Sequence, residues 1–335
     1  MNDIYLSIII PVYNCEKYIK RCIHSIIEQD IDFMEIIIIN DGSTDNTRTI
    51  CEEFVQKYNN IKSINQENKG VSHSRNIGIQ NASGKYVMFI DADDYLVGHS
   101  LNNTKELLTG DVDVLRYSYI LNDEKMIFTE KIFDLSRNRQ KFLNEFFSKT
   151  NQNMSWGQVI KRELLNDIKF TKNIFYGEDL LFNSKLYNKC KNIKYTETVL
   201  YNYRQNHDSV SRDYKNSKVK SKVENLIYVF NEIMSQYEDK DLIRIIENKF
   251  LGEIIPQIMM LTFDKEVNKQ EVLKQFEEIL NNNIFKNIFK NIDGNQLTMC
   301  RYKGAYKFMK YRQTKKLYTY AKIYKQLKMI QRIFK

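Results

Sequence analysis

Two hydrophobic periods alternate along the first hundred residues. Residues 6–11 (LSIIIP) and 35–40 (EIIIIN) are short, nearly unbroken apolar runs, the second rich in β-branched isoleucine, and both predict buried strands. Between them Tyr18, Ile19, Cys22, Ile23, Ile26 and Ile27 recur at helical spacing. The cluster GSTDNT then supplies a turn and a helix cap, and Ile50, Phe54, Val55 and Tyr58 mark the inner face of a second helix. A third strand is predicted over 61–66, a short helix over 71–81, a turn at Ser83-Gly84 and a fourth strand over 85–91 (KYVMFID). Strand and helix in alternation predict right-handed crossovers and a mostly parallel sheet, an α/β fold. Residues 111–212 carry a mixed, less regular pattern, and from about 213 to 335 the chain reads as helical.

In such sheets ligands bind beyond the carboxyl ends of the strands. The polar residues placed there are Tyr13 and Asn14, Asp41 and Gly42, and Asp91 and Asp93. No GxGxxG follows the first strand, which disfavours a dinucleotide cofactor. The stretch FIDADDYL (89–96) crowds three carboxylates where the fourth strand ends. In an extended segment Asp91 and Asp93 point to one side. Two carboxylates about 5 Å apart repel by about 3 kcal/mol at an effective dielectric near 20. A divalent cation or an arginine removes that repulsion. Mg²⁺ and Mn²⁺ favour oxygen ligands and often bind through one or two carboxylates plus substrate phosphates. The alternative is a turn in which Asp94 caps the next helix and its neighbours are solvated.

Seven motifs add to this pattern in order: SIIIPVYN, IIIINDGSTDNT, NKGVSHSRNIGI, GKYVMFIDADD, MSWGQVIKRELL, FYGEDLLF and VLYNYRQNHDSVS. Together they resemble the inverting glycosyltransferases of family two, of the bacterial surface-polysaccharide type, over about residues 4–212. The resemblance implies a GT-A fold, a Rossmann-like, mostly parallel sheet, followed here by a helical C-terminal region. It divides the chain into a catalytic domain (1–212, with a nucleotide-sugar half of about 1–110 and an acceptor half of about 111–212) and the region 213–335. It implies transfer of a hexosyl or N-acetylhexosaminyl group from a nucleotide-diphosphate sugar, UDP-linked, to a hydroxyl of a glycan or lipid-linked glycan, in capsule, teichoic acid or similar synthesis. The rival reading is a non-catalytic glycan-binding or scaffold protein on the same fold; intact acidic residues count against it.

The resemblance also implies roles. Pro11, Tyr13, Asp41, Arg75, Asp91, Ala92 and Asp93 would form the donor site. Tyr13 would lie against the base, Asp41 would accept from the uracil ring nitrogen, and Arg75 would face the nucleotide side. Asp91 would bind the ribose, and Asp93, with His207 as a further candidate, would ligate Mn²⁺ or Mg²⁺. Asp179 is expected as the base, with Glu178 as acceptor-binding partner or alternative base. For that pair the bland reading is an acidic first turn favoured by the helix dipole. Arg204, Ser209 and Ser211 belong to a loop expected to close over the diphosphate. Here the chain departs from the Arg-Glu-Gly that commoner members carry before the serine. Trp156, the only tryptophan, is a candidate platform for an acceptor sugar or a core residue.

Composition changes the picture mainly at the C-terminus. Of 335 residues, five are cysteines, scattered and without metal-site spacing, which fits a reducing compartment. No signal peptide or membrane span is expected, so a cytoplasmic location, peripheral at the inner face of the membrane, is the reading. Net charge is +9, yet no Asp or Glu follows Asp293, while twelve Lys and Arg do. Removing those twelve from 51 leaves 39 basic against 42 acidic residues. The near-neutral body argues against nucleic acid. In the tail Leu317, Tyr320, Tyr324, Leu327 and Phe334 lie near one helical face, with Lys315, Lys316, Lys322, Lys325 and Lys328 around them. An anionic membrane surface is the favoured partner. Packing on the catalytic domain and a subunit contact in a homo-oligomer are the alternatives.

Overall fold

A computed structural model of the chain describes residues 4–29, 33–149, 153–204, 216–264, 266–292, 297 and 302–333, the side chains of 216 and 328–333 excepted. The chain divides into two compact units, Met1–Leu143 with Asn151–His207, and Asn144–Thr150 with Asp208–Lys335. The sequence pattern had left the segment 144–150 with the first.

The first unit is built on ten strands among the described residues: β1 (Leu6–Val12), β2 (Met34–Asp41), β3 (Ile61–Gln66), β4 (Tyr86–Phe89), β5 (Tyr95–Leu96), β6 (Val114–Leu121), β7 (Glu124–Met126), β8 (Lys131–Asp134), β9 (Gln158–Lys161) and β10 (Asn192–Tyr203). They lie in one sheet in the order β3-β2-β1-β4-β9-β6-β10-β5, with β7 on β6 and β8 on β10. The β3-β2-β1-β4 half is parallel throughout. The second half is mixed: β9 runs antiparallel to both β4 and β6, and β6 pairs parallel with β10. Every residue of β1 and β2 is buried, which is why those stretches read as unbroken apolar runs rather than as alternation.

Helices α1 (Ile19–Ile27), α2 (Thr47–Lys57) and α3 (Val71–Asn81) make the crossovers; α4 (Thr104–Leu107), α5 (Leu135–Ser148, kinked at Asn138) and α6 (Glu178–Lys189) follow. Helix α3 approaches β1 so closely that a Cβ at Gly78 would meet Ile9 Cγ2 at 2.2 Å, so this turn of the helix admits only glycine.

Strand order turns back on either side of β1, with β2 and β3 to one side and β4 to the other. That is the switch point at which open α/β sheets bind ligands. Pro11 fits the same place. Ile9 O accepts Ile90 N–H on the β4 side at 3.0 Å. Pro11, two residues on, turns its ring nitrogen to the same side, where β4 has already ended at Phe89. A missing N–H costs nothing where the neighbouring strand has left.

The second unit holds α7 (Asn216–Met234), α8 (Lys240–Met260), α9 (Lys269–Leu280), α10 (Asn283–Asn291), α11 (Lys303–Lys310) and α12 (Thr314–Ile333). Phe230, Phe250, Phe285, Phe289 and Tyr306 form a continuous chain of ring contacts, 5.1 to 5.8 Å between successive centroids. Lys249 Nζ donates to Lys149 O, tying the 144–149 segment into this unit. The grouping expected on α12 is corrected here. Leu317 and Ala321 are fully buried, and Tyr320 packs on Phe308 and Tyr324, so that face belongs to the helical core. Ile323 and Leu327 are exposed instead, about one and two turns beyond the exposed Thr319 and about two and three turns beyond the exposed Lys315 and Lys316. Phe334 lies outside the described residues. None of the described helices is long and apolar enough to cross a membrane.

Candidate active site

The loops after β1 and β2 are laced together. Asn14, in the left-handed region at φ 48°, accepts from Thr44 N–H at 2.8 Å, and its own N–H donates to Ser43 Oγ at 3.1 Å. Cys15 N–H donates to Thr47 Oγ1 and Glu16 N–H to Asp45 Oδ2. Tyr13 stands out of this frame 47% exposed, its ring available for stacking. Asp41, ending β2, is buried. Its Oδ1 accepts from Gln66 Nε2 (2.6 Å) and Lys69 N–H (2.8 Å), and its Oδ2 from Gly70 N–H (2.8 Å). Asp41 is thus anchored at the N-terminus of α3, where an anion is favoured. Of roughly four acceptor positions on a carboxylate, three are taken. Gly42 has φ 74° and a Cβ there would meet Asn68 N at 2.8 Å, so the turn behind Asp41 requires glycine.

Arg75, on α3, gathers the acidic residues. Its side chain is 4% exposed. Nη2 donates to Asp91 Oδ1 at 3.0 Å; Nη1 donates to Asp179 Oδ1 at 2.9 Å and reaches Glu178 Oε1 at 3.4 Å. The ring of Phe170 supports the guanidinium at 5.0 Å. Arg75, expected on the nucleotide side of the pocket, turns both terminal nitrogens to carboxylates, the strand-end Asp91 among them. The acidic pair opens α6 beyond Gly177, and Asp179 Oδ2 also accepts from Ser155 N–H at 3.1 Å. The helical first turn and the meeting with Asp91 hold together, so the dipole reading of Glu178 and Asp179 is not an alternative to a site but part of it.

One guanidinium does not balance these charges. Burial, then Asp179, pushes Glu178 up to about 7 against the pull of Arg75. Burial, with Asp179 and Asp93, likewise raises Asp91, which Arg75 lowers only in part. Burial tends to lower Arg75, but Asp179, Asp91 and Glu178 overcome it and hold the guanidinium protonated. Asp94, fully buried, is pushed up to about 8 by burial and by Asp91 and Asp93. It accepts from Tyr201 OH (2.7 Å) and Arg204 N–H (2.8 Å), while Tyr201 OH accepts from Asp91 N–H (3.1 Å). Asp94 thus ties the strand-end turn to β10 rather than capping a helix.

The donor set fits a hard cation. It is all carboxylate oxygen, it carries excess negative charge, and Asp93 stays part-exposed. Among the described residues no three His, Cys, Asp or Glu side chains converge as a ready-made cage. His207, Ser209 and Ser211 lie outside the described residues; Arg204 is exposed at the end of β10. Trp156 is corrected to core: it is 5% exposed and stacks on Tyr201 (4.4 Å) and Tyr203 (5.3 Å), so no open sugar platform is offered. Ala92 is buried in the turn.

Sequence reasoning missed Tyr201, Ser155, Phe170 and Arg21. Arg21 stacks on Tyr95 at 4.1 Å and donates to Asp93 O at 3.4 Å. The one sequence signal among them was a tyrosine in the last strand before the HDSVS segment.

The model of the family described as "Glycosyl transferase family 2" matches residues 7–169. Residues 7–169, just under half of the chain, thus carry the glycosyl transferase family 2 match. That stretch runs from Ser7 in β1 through β9 and contains Pro11, Tyr13, Asp41, Arg75, Asp91, Ala92 and Asp93, while Glu178, Asp179 and Arg204 lie beyond it. Among curated relatives, glycosyltransferase GlyA of Streptococcus pneumoniae serotype 4 is 33% identical over 228 residues, covering 63% of this chain and 32% of GlyA. Minor teichoic acid biosynthesis protein GgaB of Bacillus subtilis is 29% identical over 219 residues, covering 61% of this chain and 23% of GgaB. The chain thus spans about a third or less of either relative. The crystal structure of S. aureus TarS 1-349 in complex with UDP-GlcNAc superposes with a TM-score of 0.70 at 21% identity, covering 96% of this chain and 92% of that one. That likeness carries the GT-A fold of this chain, with its helical C-terminal region.

Proposed function

We propose that the chain moves a sugar from a UDP-linked donor to a hydroxyl of a surface-glycan acceptor, inverting the anomeric centre with the help of a divalent cation. The observation that carries this reading is the convergence, at the switch point of the sheet, of Asp91 from the end of β4 and Asp179 from the start of α6 on one buried arginine. Donor-side and acceptor-side acids, 88 positions apart in sequence, meet in one site. The UDP-GlcNAc bound by TarS and the teichoic acid role in the name of GgaB support the substrate class.

Tyr13 stacks on the base, the remaining acceptor position of Asp41 takes the uracil ring N–H, and Asp91 accepts from the ribose hydroxyls. Asp93, with His207 as a further ligand, would hold Mn²⁺ or Mg²⁺, which when bound stabilises the charge gained by the leaving diphosphate. Arg204, Ser209 and Ser211 would flank that diphosphate. Asp179 accepts the proton of the acceptor hydroxyl as its oxygen bonds to the anomeric carbon and the bond to the diphosphate breaks. Glu178, raised to about 7, is about half protonated at neutrality, and in that form donates a hydrogen bond to the acceptor. The exposed stripe of Lys316, Ile323 and Leu327 on α12 suits the interface of an anionic membrane carrying a lipid-linked acceptor.

A screen of UDP-sugars with Mn²⁺, reading UDP release with and without crude acceptor, tests the reaction. Release from one donor that EDTA abolishes is expected; release from none contradicts the reading. For the tail, Ile323→Asp with Leu327→Asp is expected to lower sedimentation with phosphatidylglycerol vesicles severalfold, and undiminished sedimentation removes the membrane role.

A further inference from the structure

We infer that Arg75 is a positioning residue for the base: it touches no substrate, and it fixes the Asp179 carboxylate relative to the donor-side Asp91 through one shared guanidinium. This rests on the functional reading above and assigns Arg75 a task other than donor binding. Three observations carry it.

The Asp179 carboxylate is held at both oxygens, Oδ1 by Arg75 Nη1 and Oδ2 by Ser155 N–H, which fixes its plane. The guanidinium that does the holding is itself fixed, by Asp91 at Nη2 and by the Phe170 ring on its face. The helix that bears it is clamped to the segment leading into α6. Asn76 Nδ2 donates to Phe170 O (2.8 Å), Phe170 N–H donates back to Asn76 Oδ1 (2.9 Å), and Ser72 Oγ donates to Ile174 O (3.1 Å). Arg75 and its two clamps thus occupy one face of α3, at positions 72, 75 and 76. A planar fork can bridge two carboxylates in fixed geometry; a lysine ammonium supplies the charge without the fork. The charged groups facing Asp179 are Arg75 from α3, Asp91 from the end of β4 and Glu178 from its own helix.

The test compares wild type with Arg75→Lys and Arg75→Gln in the full chain, reading UDP release against pH and UDP affinity by calorimetry. For Arg75→Lys we expect kcat to fall about a hundredfold, KM for the UDP-sugar to stay within about threefold, and UDP affinity to stay within about threefold. For Arg75→Gln we expect a further fall, with the acid limb of the kcat profile moved by at least about one pH unit. If Arg75→Gln fails to fold, Phe170→Leu, which loosens the guanidinium and leaves all charges, replaces it, with a fall in kcat of about tenfold expected. Full kcat in Arg75→Lys, or a loss confined to KM, overturns the inference. Should wild type itself turn over no UDP-sugar, the functional reading fails separately. Arg75 is then judged by crystal structures of wild type and Arg75→Lys, where an Asp179 carboxylate unmoved in the variant overturns the inference and one displaced from its place beside Ser155 N–H sustains it.

Discussion

The two ends of the parallel half-sheet each bury acidic charge, and they treat it in opposite ways. At the amino ends of the strands Glu35, almost wholly buried, is alone and fully served. Oε1 accepts from Ser7 Oγ (2.7 Å), Ser83 N–H (2.7 Å) and Ser83 Oγ (2.5 Å), and Oε2 accepts from Lys62 Nζ (2.9 Å). Burial opposes ionisation there, but the bonds from Ser83, Ser7 and Lys62 win and carry the carboxyl down to about 2. At the carboxyl ends Asp91, Glu178 and Asp179 share one guanidinium, and Glu178 and Asp94 are driven up to about 7 and about 8. One cluster closes its charge balance and staples β1, β2 and β3 to the turn before β4. The other leaves a deficit that a cation and a substrate can fill. Charge imbalance in a buried cluster is thus the more informative sign of function than burial itself.

The comparison breaks most visibly at Asp179. Asp179→Asn should reduce UDP-sugar turnover about a thousandfold while UDP affinity is retained, since general base catalysis contributes about 10²–10⁴; a steady-state assay with calorimetry decides it. Glu35→Gln should do the reverse. It should lower stability by about 2–3 kcal/mol in a denaturant titration, because it unbalances a buried charged node, and leave turnover intact.

The pH dependence should separate the ends by sign. Glu35 has a depressed folded value, so its contribution is complete above its unfolded value of 4.5 and is lost as pH falls towards about 2. Glu178 is raised, so between 4.5 and about 7 the folded state binds more protons than the unfolded one, and stability drops as pH rises through that window. Glu178→Gln should lessen that slope in melts from pH 4.5 to 7, Asp94, raised to about 8, keeping the remainder; an unchanged slope would assign the trend to Asp94 alone. The smallest effect is expected at Tyr13→Ala, a rise of up to about tenfold in KM for the UDP-sugar from loss of one stacking contact.

The two halves of the sheet also differed in how far the sequence revealed them. The β3 and α3 boundaries coincide with the stretches 61–66 and 71–81, because turn residues at Asn59-Asn60, Asn68 to Gly70 and Ser83-Gly84 bracket both. The β9 insertion between β4 and β6 left no such trace, since four residues flanked by loops carry no measurable period. Arg75 was visible as a residue but its partners were not. Asp179 lies 104 positions away, and nothing in SHSRN announces that distance. The Trp156 ring could be core or platform from its sequence alone; only β10, folding Tyr201 and Tyr203 against it, decides for core. The tail was read as one apolar face, whereas packing on α11 and on other helices of its unit consumes Leu317, Tyr320 and Ala321 and leaves Ile323 and Leu327 outside.

The measurement closest to the central claim is a crystal structure of the chain soaked with UDP and Mn²⁺. The account expects the metal on Asp93 and the diphosphate, the ribose on Asp91, the base beside Tyr13, and the Arg75–Asp179 pair kept. A nucleotide bound elsewhere, or a strand-end turn without metal while Arg75 alone satisfies Asp91, would contradict it.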